Sequence, residues 1–276
     1  MRAVDRPPGR VRALRSGARL YGRCLGAHLR ASLEYEVDFW LMIFAAVLYQ
    51  FVPLVFIGAV FARVPDLDGW TMPEVVLITS LAVLAEGVGS LLYEGTWQLP
   101  WTVNQGELDY LLVRPYPVVL QIASSRIGLN GAGNLLTGTI MFAWGLGNCD
   151  LDLTPFGALT LLVLVTSGVL VKFAIVVTAT SASFWLVGAN VNLAVSLHNV
   201  GDLARYPLTV YHGGLRLVLT VLLPFGFVSF YPVAAVVRPG TYWWATVVTP
   251  LVAGLCVLLT LRVVRAGLRR YESAGA

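Results

Sequence analysis

The chain has 276 residues, of which 57% are hydrophobic and only 12% charged, and its net charge is +4 at pH 7. An ordinary globular domain carries roughly 25% charged residues, so most of this surface must face lipid, which excludes a soluble domain, a disordered chain and a coiled coil. Three cysteines, Cys24, Cys149 and Cys256, are too few and too scattered for a disulfide framework or a zinc site.

The basic residues are eighteen Arg and the single Lys172, and they flank apolar spans, so they read as topology signals and not as nucleic-acid contacts. No early apolar run with a small-residue cleavage site is present, so no secretory signal is expected. Residues 9–37 place Val11, Leu14, Ala18, Tyr21, Leu25, Leu29, Leu33 and Val37 at steps of three or four, with Arg between them. That pattern predicts an interfacial helix lying in the headgroup region.

A membrane crossing needs about 20 helical residues. Six apolar segments qualify: 39–62, 75–97, 118–146, 156–187, 208–223 and 242–261. The expected fold is therefore all-α, a polytopic membrane protein forming a single permease-like domain over 1–276. Pro224 and Pro232 each break a fifth apolar region too long for one crossing. Two arrangements fit 224–237 at this stage, a re-entrant hairpin before the last helix or one kinked helix. With six crossings and a cytoplasmic N-terminus, fifteen basic residues fall inside and two outside, and both termini are cytoplasmic.

Catalytic motifs are missing: the sequence contains no H-E-x-x-H, G-x-S-x-G or Walker A pattern, and His28, His198 and His212 lack metal-ligand spacing. The chain is expected not to be an enzyme. Four charges lie inside apolar segments: Glu86, Glu94, Arg126 and Lys172. A charge at that depth is costly unless paired or facing water, so each either lines a pathway or is buried in a pair. Glu94 and Arg126 are expected near the same membrane face, where they could pair. Glu86 would carry the proton in a gradient-driven transporter or channel, the alternative reading.

Residues 104–115 carry the most information. Asn104 with Glu107 resembles a capping box, Leu108, Leu111 and Leu112 make one apolar face, and Pro115 stops the helix. So short a helix is marginal in water and is expected to dock on something.

The run from Asn104 to Pro115 resembles the G-E-L-D-x-x-L-x-R-P signature of the six-helix branch of bacterial ABC type-two exporter permeases. Ala204 to Pro207, Tyr211, Leu223 to Phe225, Phe230 to Pro232, and Phe184 with Trp185 resemble that family in the same order. The resemblance implies a multi-pass protein of the bacterial cytoplasmic membrane, surrounded by membrane lipids and paired with a second permease, identical or sister. It implies a cytosolic ATPase subunit beneath, which would hold the ATP and magnesium; no cofactor is expected in this chain. Asn104, Glu107, Leu108, Asp109, Leu112 and Arg114 would form the coupling helix, with Glu107 and Asp109 as acidic contacts and Leu108 and Leu112 as apolar ones. Export by alternating access is implied, and the scarcity of buried charge favours a lipid-like or amphipathic cargo.

Overall fold

In a computed structural model of the chain, the described residues are 10–149, 151, 154–186 and 191–271, without the side chains of 10–18, 20, 191 and 192. Gly9 and Val187, at the edges of two expected segments, and the side chains of Val11, Leu14 and Ala18 lie outside them. The described residues are predominantly helical, with one isolated β-bridge between Leu67 and Trp70 and no strand among them. In chain order the helices are α1 (Arg10–Leu33), α2 (Glu36–Phe61), α3 (Met72–Tyr93), α4 (Leu99–Asn104), α5 (Leu108–Leu112), α6 (Val118–Ala123) and α7 (Asn130–Asn148). They continue as α8 (Pro155–Ser181), α9 (Val191–Asp202), α10 (Gly213–Leu217), α11 (Phe230–Val237), α12 (Pro239–Tyr242) and α13 (Ala245–Arg270).

Among the described residues, four helices are long and apolar enough to cross a membrane: α2, α3 continued through a 3-10 turn into α4, α8 with its terminal turn, and α13. Local chemistry fixes where they start. Thr71 and Glu74 close a capping box on α3, with Pro73 in its first turn, and Thr154 Oγ1 accepts from Gly157 N at 3.1 Å ahead of α8.

The expected third span, 118–146, is interrupted. α6 ends at Ala123, and the chain turns before α7, with Gly128 N donating to Ser90 O at 2.8 Å. At 19 residues, α7 is about 28 Å long, and it packs against α2 and α3. Small residues set that approach: a Cβ on Gly87 would lie 2.8 Å from Leu135 N, and one on Gly131 would lie 2.8 Å from Gly87 O.

The expected fifth span, 208–223, is not one crossing helix. It comprises a 3-10 turn at Leu208–Val210, then α10 and a π-helical turn at Val218–Leu222. The helical stretch Gly213–Leu222 reaches only about 15 Å. Both ends of residues 209–238 are tied to the α2–α3 link: Trp70 Nε1 donates to Thr209 Oγ1 at 3.1 Å, and Arg238 bonds Glu74 and the Gly69 carbonyl. Between those ends the chain dips into the bundle, where the Val228 carbonyl lies against Gly168 and the Phe225 ring against Gly201. Pro224 sits in the turn that reverses the chain. Pro232 does not repeat the break. It occupies the first turn of α11, where a backbone N–H has no intrahelical acceptor to lose.

The main core gathers α3, α8, α11, α13 and residues 225–228 around Trp70, Phe230, Leu164 and Leu219. By contrast α2 fully buries only Ala46, Gln50 and Ile57 and leaves much of its apolar surface exposed.

Candidate functional site

One end of the bundle carries an elbow made of α4, α5 and α6. Gly106 makes the bend between α4 and α5 at φ 73°, a left-handed conformation that a Cβ disfavours. Asn104 is the last residue of α4, so it does not cap the next helix; Glu107 precedes α5 and makes no capping hydrogen bond. Gln121 of α6 closes the far side, donating to the carbonyls of Leu111 at 3.0 Å and Tyr116 at 2.9 Å.

The elbow has its own core. Leu99, Leu108, Ile122 and Phe184 pack together, with Leu268 and Tyr271 against them. Leu108 is 0% exposed, so it anchors the elbow to this chain and offers no contact to a partner. Leu112 does face outward, and Trp101, Tyr110 and Val113 join it, the last two 73% and 82% exposed. Glu107 and Arg114 are exposed beside this patch, and Asn104 is exposed at its edge. Asp109 is half-buried against Tyr271, whose phenol is pushed above its usual range by burial first and then by that carboxylate. Tyr21 of α1 donates to the Leu92 carbonyl, which sets α1 against the same end of the bundle.

Deeper in, the charges of the spans meet. Lys172 Nζ on α8 donates to Glu86 Oε2 on α3, and His198 Nδ1 on α9 lies 3.9 Å from the same oxygen. The His198 ring sits edge-on to Trp97 with centroids 5.7 Å apart. A second group adjoins it. Arg205 Nη2 pairs with Asp202 at 2.9 Å, Arg205 Nη1 donates to Gln50 Oε1 at 3.3 Å, and Gln50 Nε2 donates to Asn134 Oδ1 at 3.0 Å. Thr79 Oγ1 donates to the Arg205 carbonyl at 2.9 Å. This network reaches α2, α3, α7 and α9. Phe225, Val228 and Ser229 of the dipping segment close the small cleft between the two groups.

Glu94 and Arg126 do not form an ion pair among the described residues. The Glu94 carboxylate bonds Ser90 and borders Gly128, and Arg126 is exposed and acts on it from farther away. The sequence reading gave His198, Arg205, Asp202, Gln50 and Asn134 no part in a buried polar network. The available signal was the mixed polar and apolar character of 191–205, which fits a helix with charged neighbours inside the protein.

A family model described as ABC-2 family transporter protein matches residues 47–275. The chain belongs to that family. Searches of the curated proteins and of the solved structures match nothing. The matched region of this ABC-2 permease begins at Val47, within α2, and takes in the other three long apolar helices, the elbow and the charge cluster. Membership makes the chain a multi-pass membrane component of an ABC transport system.

Proposed function

We propose that this permease is the membrane half of an exporter, moving a lipid-like or amphipathic substrate by alternating access driven by a separate ATPase subunit. The observation that carries the proposal is the elbow: an exposed patch of Trp101, Tyr110, Leu112 and Val113, flanked by Glu107 and Arg114, mounted on a buried anchor at Leu108. A patch of aromatic and aliphatic side chains with a charged rim is the composition of a protein contact. The ATPase is the partner that family membership supplies, and ATP and magnesium are held there. A second permease copy or sister chain completes the membrane unit.

The topology that fits has six crossings: α2, α3, α7, α8, residues 191–210 and α13. Residues 213–237 form a re-entrant hairpin from the outer face, larger than the 224–237 of the sequence reading. Both termini then lie in the cytoplasm with the elbow. Arg205 leaves the cytoplasmic tally and Arg216 joins the outer side, yet the bias of Arg toward the elbow end persists. The gradient-driven alternative assigns a proton to Glu86, and the Lys172 ion pair on that carboxylate argues against it.

Reconstitution with the cognate ATPase tests the proposal. The expected result is co-purification of the ATPase with wild-type permease and loss of it, by at least tenfold, in Tyr110→Ser/Val113→Ser. Transport that runs on a proton gradient without any ATPase would overturn it.

A further inference from the structure

Beyond the charge cluster, the bundle holds a second cavity, a groove of about 650 Å³ between α8, α9, α13 and the turn after α10. Ala174 and Thr178 of α8, Leu197 of α9, Phe227, and Leu255 and Leu259 of α13 line it, and among the described residues no charged side chain does. Its three threonines are already satisfied: Thr178 and Thr260 share a hydrogen bond of 2.9 Å, Thr260 also donates to the Ala174 carbonyl, and Thr220 meets the Tyr231 hydroxyl at 2.9 Å. The groove therefore offers apolar surface and nothing to a polar head. Along α13 it runs from Val252 to Thr260, about 12 Å, inside a helix apolar enough to cross a membrane.

The next residue on that side of α13 changes the chemistry. Leu255, Leu259 and Arg262 follow at steps of four and three, so they share a helix face. Arg262 is exposed, and no described residue makes an ion pair or hydrogen bond with its guanidinium. It lies two residues, about 3 Å, beyond the groove, toward Leu268 and Tyr271 at the elbow end. A tail-sized apolar slot with an exposed guanidinium just beyond its end matches one ligand class in both shape and charge. Arg suits a phosphate in particular, because its planar fork presents paired donors.

We propose that this groove takes one acyl tail of an anionic phospholipid from the cytoplasmic leaflet, with the lipid phosphate at Arg262. The proposal rests on the exporter reading only for which leaflet the elbow end faces; the binding itself requires no ATPase. It places an amphiphile against α8, α9 and α13, within one chain.

Native mass spectrometry of the purified full-length permease with phosphatidylglycerol or phosphatidylcholine of the same chains tests it. Wild type is expected to retain phosphatidylglycerol at least tenfold better. Arg262→Gln should abolish that preference, with phosphatidylglycerol retention falling far more than that of phosphatidylcholine, whose choline offsets its phosphate charge. Ala179→Trp, which fills the groove, should weaken both lipids; should that variant fail to fold, Leu255→Trp at the exposed mouth replaces it. A preference that survives Arg262→Gln, or retention indifferent to a filled groove, would overturn the site. Loss of lipid binding with ATPase pairing intact sinks this inference alone, whereas binding without ATPase pairing sinks the exporter reading alone.

Discussion

Lys172 and Glu86, on helices α8 and α3, meet side chain to side chain within the bundle, and His198 of α9 approaches the same carboxylate oxygen. The two charges remove the cost that each would incur alone. Breaking such a pair from one side leaves an uncompensated charge and costs about 3–5 kcal/mol. Glu86→Gln should lower the melting midpoint strongly in detergent, and Glu86→Gln/Lys172→Met should recover most of the loss. If the double variant were no better than the single, the pair would not be what holds these groups.

Close packing of α3 on α7 depends on missing side chains. A Cβ at Gly87 or Gly131 would press on backbone atoms at 2.8 Å, which cannot rotate away. Gly131→Ala should cost about 1–3 kcal/mol, measured by thermal unfolding. Gly254→Ala, where nothing lies within 4 Å of the added carbon, is the matched control and should be near neutral.

At the opposite end from the elbow, Arg238 stacks 3.9 Å above the Trp70 ring and bonds Glu74 at 2.9 Å, and Glu74 also caps α3 through Thr71. Glu74→Gln weakens a charge-assisted bond and the cap together, worth about 1–3 kcal/mol. The expected signature is local: faster hydrogen exchange over 230–242, with exchange in 155–170 unchanged. Equal acceleration in both segments would contradict a local tie.

In the elbow, anchor and contact surface should separate. Leu108→Ala empties a buried site and should cost about 2–5 kcal/mol. Tyr110→Ser and Val113→Ser, both at exposed positions, should stay within about 0.5 kcal/mol of wild type while ATPase association falls. Stability loss at Tyr110 as large as at Leu108 would deny the division.

Tyr271 gives a pH signature. Its folded phenol holds the proton to higher pH than the unfolded one, from burial and from Asp109, so the contribution is complete below about pH 10 and fades as pH rises through the raised value. Limited proteolysis of the C-terminal end of α13 should accelerate in that alkaline range. Tyr271→Phe, which has no proton to lose, should flatten the profile.

Hydropathy made α2, α3, α8 and α13 legible because each is a long, predominantly apolar run near membrane length, even where Glu86 or Lys172 falls within it. It failed between 188 and 238 for a physical reason. The α9 segment reads as a polar link because His198, Asp202 and Arg205 turn toward charges inside the protein, information that resides on other helices. The 208–223 run reads as a crossing because most of it is apolar, and composition does not reveal that its helix covers only Gly213–Leu222. The glutamate and lysine of the central pair were each visible, but their partnership, across 86 positions, was not. In the elbow, periodicity found the apolar face and missed its division: Leu108 and Leu112 look equivalent at a spacing of four, yet Leu108 packs against Leu99, Ile122 and Phe184 while Leu112, one turn on, lies outside that core.

The elbow core joins Leu99 at the end of the α3–α4 rod, Phe184 after α8 and Leu268 near the end of α13. These are three of the four long apolar helices. A force applied at Tyr110 and Val113 therefore enters a shared hinge block before it enters any single helix. Such a block resembles a clamp at the foot of three poles: tilting it would tilt all three, whereas α2, which is absent from it, would feel the tilt only through its packing on α3 and α7.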